Sequence, residues 1–359
     1  MINVCVVNPN YYRSSGVTVA IRRIYESLPD ADVTQYFVDC GYGNEEPDTS
    51  WIPKNRLATF RLMTLSPVAL ARACTAFLRW LKMNDIRVIH VHHRRLAVIL
   101  GWLRVFHDYK LIYTGNLTYP YEFWFWLFSP RIATGITDSV IENLKRTTRT
   151  KQIHLIGNGC DFPAECPPVD ISRVRATAIC IARLDPVKGH DKLLDAWRIL
   201  LDRGHQCRLL LVGEGQLRKA LERQAEALGV GHAVEFRGFQ RDVIPQIEQA
   251  LFAVLPSRVE GQGIVTIEAA ARGRASLVTD VDGSRDCVPA HHVLPNLVRF
   301  GDVVGLADAL EAWFAQPDLA VSEGRVFFDY LKGSSSTASV ANKYCALYEQ
   351  VVTSDRRST

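Results

Sequence analysis

Two carboxylates, Glu260 and Glu268, stand eight positions apart with the turn Gly261-Gln262-Gly263 between them. The apolar run Phe252-Ala253-Val254-Leu255 precedes them, and helical spacing begins at Ile264. That order predicts a strand, a glycine turn and a helix, with Glu260 in the turn and Glu268 on the second helical turn. Glycines in such a turn let backbone approach a ligand closely, and the first amides of the helix, at residues 262–265, are donors for an anion. One carboxylate then meets hydroxyls near a phosphate while the other reaches a ribose, an arrangement suited to a sugar nucleotide.

A second constellation lies upstream in Ile181-Ala182-Arg183-Leu184-Asp185-Pro186-Val187-Lys188-Gly189. An arginine leaves the end of an apolar run, and a lysine follows five residues later, after a proline. In open α/β sheets ligands bind at the carboxyl ends of strands. Two fixed cations there would stabilise the charge that builds on a departing phosphate. Read by itself the segment is equally a surface loop with two solvated charges. Leu211-Val212-Gly213-Glu214-Gly215 is a further strand ending in Gly-x-Gly, a pattern common to many nucleotide-binding turns.

The elements that must hold these residues alternate along the whole chain. Strands are predicted at Val4–Asn8, Val33–Val38, Val88–Val91, Lys110–Tyr113, Arg131–Ile136 and Gln152–Ile156. After the proline-rich stretch Asp161–Pro168 they resume at Ala178–Ile181, Arg208–Val212, Val234–Arg237, Phe252–Leu255 and Ser276–Thr279. Helical patterns fill the gaps, among them His190–Arg203, Gln216–Leu228 and Thr337–Val352. This βαβ rhythm, occurring twice, predicts two doubly wound α/β domains, 1–163 and 169–335. A chain of 359 residues has the length for both.

In this order the motifs resemble those of retaining glycosyltransferase family 4, whose signature is E-x7-E. The family's Glu-Gly-Phe-Gly becomes Glu260-Gly261-Gln262-Gly263, with the Gln262 amide still available. Arg183 and Lys188 fall in an element similar to G-R-L-x-x-x-K-G, with Ala182 in place of its glycine. Gly213 and Gly215 resemble V-G-x-G-P beside the nucleotide. Phe236-Arg237-Gly238-Phe239-Gln240 resembles F-x-G, after which backbone at Gln240 pairs with the base.

In the first half, Ser14-Ser15-Gly16 stands where the family often has a glycine pair facing the donor phosphate, so Gly16 is the retained donor contact. Val88-Ile89-His90-Val91-His92-His93 resembles V-V-H-x-H. Alternation directs His90 and His92 to one face, so at least one of them is structural. Ile112-Tyr113-Thr114-Gly115-Asn116 resembles V-T-x-H, with Asn116 in the histidine position beside the transferred sugar. Asparagine can hydrogen-bond a hydroxyl but cannot take a proton. Asn158-Gly159-Cys160-Asp161 is similar to the N-G-V-D that ends the first domain. Thr279-Asp280-Val281-Asp282-Gly283-Ser284-Arg285-Asp286 contains an Asp-x-Asp of the kind that holds a metal in GT-A enzymes, but here it occupies the family's T-D-V-G-G-x-x-E position.

The resemblance implies the GT-B architecture, two Rossmann-like domains facing across a cleft, with the helix 337–353 returning to the first, acceptor-side domain. It also implies sugar transfer from a UDP- or GDP-sugar to an acceptor hydroxyl with formation of an α-glycoside. Arg183 and Lys188 would neutralise the leaving diphosphate, Glu260 would hold the sugar, and Glu268 the ribose. Gly16, Gly213, Gly215, Gln240, Gly261, Gln262, Gly263, Ile264 and Val265 would complete the donor site, and His92 and Asn116 would serve the acceptor side. No metal or other cofactor is expected. A GT-B nucleotide-sugar epimerase and a non-catalytic nucleotide-sugar-binding subunit are the alternative readings.

Composition fits this picture without specifying it. The chain is 48% hydrophobic and 22% charged, ordinary for a globular protein. Nine scattered cysteines and no export signal predict reduced thiols in a cytoplasmic protein. The net charge of +4 is uneven: residues 1–160 carry 19 basic against 12 acidic side chains, and residues 161–359 carry 23 against 26. A basic first half predicts an anionic partner such as a membrane surface or a phosphorylated lipid; dispersed arginines argue against nucleic acid. The aromatic run Tyr119–Phe128 is read either as core or as a lip for a lipid-linked or glycan acceptor. Leu57–Lys82 is read either as an amphipathic membrane-facing helix interrupted at Pro67 or as a core helix with a solvated edge.

Overall fold

The computed structural model describes residues 2–12, 15–28, 33–42 and 47–353; Met1 and Ser14 lie outside them. The chain divides into two compact units, Met1–Gly159 with Thr337–Thr359, and Cys160–Ser336. The change of unit falls at Gly159/Cys160, just ahead of the proline-rich stretch.

Among the described residues the first unit contains seven strands: β1 (Ile2–Asn8), β2 (Val33–Asp39), β3 (Leu57–Thr59), β4 (Val88–Val91), β5 (Lys110–Gly115), β6 (Ile132–Gly135) and β7 (Gln152–Leu155). They form one sheet in the order β3-β2-β1-β4-β5-β6-β7, and every recorded pairing is parallel. Both faces are covered. Cys5, Val7, Ile89, Val91, Leu111 and Tyr113 pack into one apolar cluster, while Val4, Val88 and Ile112, their neighbours in alternation, pack into another with Tyr344, Leu347 and Tyr348. Period-two alternation of a strand buried on both sides gives these near-continuous apolar runs. The helix Thr337–Thr353 is thus part of the first unit's core, contributing Val340, Tyr344 and Val351.

Leu57–Lys82 is not one interrupted helix. Leu57–Thr59 is the edge strand β3, and Pro67 opens the helix Pro67–Met83, capped by the Ser66 hydroxyl accepting from the Ala69 amide. Proline suits the first helical position, where its missing N–H has no intrahelical partner to lose. Cys74, Phe77 and Leu81 face the core while Arg72, Arg79 and Lys82 are exposed. This is a core helix with a solvated edge.

The second unit, among the described residues, holds β8 (Thr177–Ile181), β9 (Arg208–Val212), β10 (Val234–Gly238), β11 (Phe252–Leu255), β12 (Ser276–Thr279) and β13 (Leu297–Val298). Their order is β10-β9-β8-β11-β12-β13, again parallel in every recorded pair. In both sheets the chain order reverses beside the first strand of the unit, between β1 and β4 and between β8 and β11. Such a switch point opens a crevice at the carboxyl ends of the strands.

Candidate functional site

In the second unit the carboxyl ends of β8 and β11 flank the switch point, and each delivers one member of an ion pair. Lys188 Nζ donates to Glu260 Oε2 at 2.7 Å, across 72 residues of sequence. Both side chains are largely covered, 20% and 13% exposed, so the attraction is only weakly screened. The Ser257 hydroxyl donates to the same Glu260 oxygen at 3.1 Å, and the Thr279 hydroxyl at the end of β12 holds the Ser257 carbonyl.

Backbone contacts fix the two loops against each other. The Arg258 amide donates to the Val187 carbonyl at 2.7 Å. Gly189 has φ +69°, and a Cβ there would lie 2.1 Å from the Pro256 carbonyl oxygen. Only glycine permits that approach beside Lys188. Gly283 is equally constrained: φ is +80°, and a Cβ would lie 1.5 Å from the Gly261 carbonyl oxygen. The loop after β12 therefore closes over Glu260-Gly261. Asp280 in that loop pairs with Arg285 at 2.6 Å. Among the described residues no group of three or more His, Cys, Asp or Glu side chains is placed to hold a metal ion.

Arg183 leaves β8 as an exposed side chain paired with Asp185. Its turn is stitched to the one after β9: the Leu184 amide donates to the Glu214 carbonyl at 2.9 Å, and the Leu217 amide to the Leu184 carbonyl at 3.0 Å. A Cβ at Gly213 would lie 2.0 Å from the Ala182 carbonyl oxygen, and one at Gly215 2.6 Å from that of Leu184. These glycines are required first by the close packing of the Arg183 turn. Gln240 follows β10, its side-chain amide donating to the Arg237 carbonyl at 2.9 Å.

After Gly263 the helix Ile264–Ala270 begins, with Thr266 donating to the Gly263 carbonyl at 2.9 Å. The amides of Ile264 and Val265 precede that first intrahelical bond. Glu268 lies one turn further on and is 5% exposed. His190, next to Gly189, is 1% exposed, and neither ring nitrogen has a hydrogen-bond partner. Burial, and then the Lys188 charge, push its pKa down to about 4, so it stays neutral beside the ion pair.

The strand ends of the first unit differ in kind. His90 is buried, its Nδ1 2.8 Å from the Tyr348 hydroxyl and its Nε2 2.6 Å from the Thr114 hydroxyl, which lies 2.6 Å from that of Thr134. With both nitrogens occupied, His90 is the structural histidine of the pair. The His92 ring lies against it at a tilt of 33°, ring centroids 4.4 Å apart, on the same face as the alternation requires. Burial lowers the His92 pKa to about 3, leaving a neutral imidazole that can hydrogen-bond but is a poor base. Asn116 donates to the His92 carbonyl at 3.2 Å and the Thr114 carbonyl at 3.3 Å. Gly16 opens the helix Gly16–Ser27, whose N-cap, Ser15, makes no side-chain cap bond. Of the aromatic run, Phe125 is core and packs on Tyr113 at 5.1 Å, whereas Tyr121, Phe123 and Trp124 are exposed. The core reading of the run holds for Phe125.

Sequence reasoning gives Gly189, Ser257, Thr279 and Gly283 no role. The signal available for the two glycines was their place beside a charged loop; the hydroxyl contacts are set by tertiary structure alone.

Residues 175–316 match the family described as Glycosyl transferases group 1, so the second unit carries a domain of that group. The chain is 26% identical over 245 residues to the "Putative glycosyltransferase EpsD" of Bacillus subtilis (strain 168), covering 61% of this chain and 64% of that protein. It is 32% identical over 160 residues to the "GDP-mannose-dependent alpha-(1-6)-phosphatidylinositol monomannoside mannosyltransferase" of Mycobacterium tuberculosis (strain ATCC 25618 / H37Rv), covering 42% of this chain and 41% of that one. The chain thus spans less than two thirds of either curated relative. Among solved structures, sucrose-phosphate synthase from Thermosynechococcus elongatus aligns with a TM-score of 0.82 at 18% identity, over 99% of this chain and 100% of that one. Anabaena HepE in complex with UDP aligns with a TM-score of 0.80 at 16% identity, over 98% and 100%. The two parallel sheets with their helices thus have the fold of GT-B glycosyltransferases.

Proposed function

We propose that this protein is a retaining glycosyltransferase. It would move a sugar from a UDP- or GDP-sugar to an acceptor hydroxyl and form an α-glycosidic bond. The observation that carries this reading is the Lys188–Glu260 pair at the switch point, locked against a glycine turn in a domain of the glycosyl transferases group. Support for a nucleotide donor comes from the UDP named in the HepE complex and the GDP-mannose named for the mycobacterial relative. The donor-binding domain of this proposal is the second unit, and the acceptor-side domain is the first.

In the proposed reaction the donor's glycosidic C–O bond breaks, and its electron pair passes to the diphosphate. Arg183 and Lys188 stabilise that charge, with amides of Gln262, Gly263, Ile264 and Val265 as further donors. Glu260 accepts from sugar hydroxyls beside Gly261, and Glu268 accepts from the ribose. Gly213, Gly215 and the backbone at Gln240 flank the nucleotide. The leaving phosphate takes the acceptor proton while the acceptor oxygen attacks from the same face, which retains configuration. Asn116 and neutral His92 serve as hydrogen-bonding groups for the sugar and acceptor. We further propose turnover without a divalent metal, because the two cations supply the positive potential. The product belongs to cell-surface polysaccharide, lipopolysaccharide or glycolipid synthesis, made in the cytoplasm with peripheral contact at an anionic membrane.

The test is a donor panel of UDP-, GDP- and ADP-sugars assayed with excess chelator, with the product anomer assigned by NMR. The expected result is one preferred donor, an α-linked product and undiminished turnover. A β-linked product would overturn retention, and activity restored only by manganese or magnesium would overturn the role given to the cations. A donor that is isomerised without an acceptor would overturn transfer altogether.

A further inference from the structure

The carboxyl edge of the first sheet carries a row of polar side chains, one from each of the neighbouring strands β2, β1, β4 and β5. They are Asp39 at the end of β2, Asn8 at the end of β1, His92 just past β4 and Asn116 just past β5. Asn8 and Asp39 are register partners. Val7 pairs with Val91, so His92 stands opposite Asn8. Val91 pairs with Tyr113, so Thr114 stands opposite His92 and Asn116 follows two residues later. Paired residues, and residues two apart on a strand, share a face of the sheet. With neighbouring strands about 4.8 Å apart, the row is roughly 14 Å long.

The hydrogen bonding of these side chains is one-sided. The Asn8 side-chain nitrogen donates to the Asn10 carbonyl, and that of Asn116 donates to the His92 and Thr114 carbonyls. With its nitrogen so used, each amide keeps its oxygen as the open group. Asp39 Oδ1 accepts from the Gly41 amide at 2.8 Å. Among the described residues Asp39 has no ion pair, and no hydrogen bond is recorded for Asp39 Oδ2, Asn8 Oδ1, Asn116 Oδ1 or either ring nitrogen of His92. None of these atoms is sealed from solvent, yet Asn8 is only 4% and Asp39 5% exposed. Burial raises the Asp39 pKa, opposed by the Gly41 bond. Oxygens so far withdrawn from bulk water are costly without a donor. The loops that hold them are tied together beforehand. The Cys40 amide donates to the Asn8 carbonyl at 3.2 Å and the Tyr42 amide to the Pro9 carbonyl at 3.1 Å, while the Asn10 side chain donates to the Tyr42 carbonyl at 2.7 Å.

A ligand that suits this row presents hydroxyl donors. Three open oxygens, one of them on a carboxylate, can accept from several hydroxyls of one molecule, and a neutral His92 adds one acceptor and one donor. A phosphate ester offers chiefly acceptor oxygens and a negative charge, which Asp39 repels. We propose that the row binds a polyhydroxylated, phosphate-free sugar unit of the acceptor, with Asp39 and Asn8 as its specificity-determining residues. These two extend the row by two strands beyond His92 and Asn116, the groups already given to the transferred sugar and the acceptor. The inference rests on the transfer reading and deepens it by naming the chemistry of the acceptor.

The experiment titrates the full chain, by ligand-observed NMR, with the methyl glycosides of glucose, galactose and mannose and with their 6-phosphates. At least one neutral glycoside should bind saturably and more tightly than its 6-phosphate. Asp39→Asn keeps an oxygen for the Gly41 amide and removes the charge. It should weaken the neutral glycoside about tenfold, the difference between a hydrogen bond to a charged group and one to a neutral group. It should also narrow the preference over the 6-phosphate. Free UDP and GDP, titrated into the same two proteins, read the nucleotide site alone and should not distinguish them. The proposal is overturned if no neutral glycoside binds, if Asp39→Asn binds the glycosides like wild type, or if the 6-phosphates bind better. A variant that loses affinity for the preferred nucleotide sugar but not for the free nucleotide would overturn it in favour of the donor's sugar. Glycoside binding without any binding of UDP or GDP would instead overturn the transfer reading and leave the row standing.

Discussion

The two units share a parallel sheet and a switch point, yet they use their strand ends differently. At the carboxyl edge of the second sheet, charge is kept on the side chains: Lys188 faces Glu260 and Arg183 faces Asp185. At the corresponding edge of the first sheet the buried groups of β4, β5 and β6 are neutral. Imidazole, hydroxyl and phenol satisfy one another through His90, Thr114, Thr134 and Tyr348, and burial keeps His90 and His92 unprotonated. A buried neutral network rigidifies at modest cost, whereas partly covered charges are costly unless paired or met by a ligand. The difference supports the proposal that the second unit does the electrostatic work.

The largest expected effect of breaking this comparison is on rate. Lys188→Ala should lower turnover by about 10²–10³, or roughly 2.7–4 kcal/mol, the typical loss for one preorganised donor to developing charge. Steady-state kcat with the preferred donor measures it. An undiminished kcat would mean that the charged edge does not act on the leaving group.

Next in size is the pH dependence of stability in the second unit. Burial lowers the folded pKa of His190 to about 4 from an unfolded value near 6.5. Between those values the unfolded chain binds more protons, so stability is full above pH 6.5 and is lost as pH falls toward 4. The shift corresponds to about 3 kcal/mol. Urea titrations from pH 7.5 to 4 should show His190→Leu with a shallower loss, by about one proton. Parallel curves for the two proteins would show that His190 is not held neutral.

The smaller effect falls on the first unit. His90→Leu leaves the Tyr348 hydroxyl unpartnered where the imidazole stood, which should cost about 1–3 kcal/mol in stability without changing nucleotide affinity. Denaturation and nucleotide titration of the same variant decide it. A loss of nucleotide affinity would remove the separation between the units.

How much of this was legible in the sequence depended on whether the signal was local. β11 and β12 were bounded to the residue because a strand buried on both faces reads as a continuous apolar run. The two-residue β13 and the three-residue edge strand β3 leave no such run. The membrane-facing reading takes Pro67 as an interruption, whereas the capping Ser66 before it makes the same proline a helix start. The site residues were found singly, from glycines and charges at strand ends, but the contact of Lys188 with Glu260 across 72 residues has no sequence signature. Nor does that of His90 with Tyr348, 258 residues away. Gly283 was overshadowed by the Asp-x-Asp around Val281, although its φ of +80° makes it the residue that closes the loop over Gly261.

The central claim is that one edge of the second unit holds the nucleotide and acts on its departure through different side chains. The most direct test is calorimetric titration of the donor and of the free nucleoside diphosphate into wild type, Glu268→Ala and Lys188→Ala. A hydrogen bond to a charged group contributes about 1.5–3 kcal/mol. Glu268→Ala should therefore weaken both ligands by about 10- to 100-fold alike, since the ribose is common to them. Lys188→Ala should stay within a few-fold of wild type for the donor, because its charge matters most as the diphosphate leaves. Wild-type affinity for both ligands in Glu268→Ala would contradict the account.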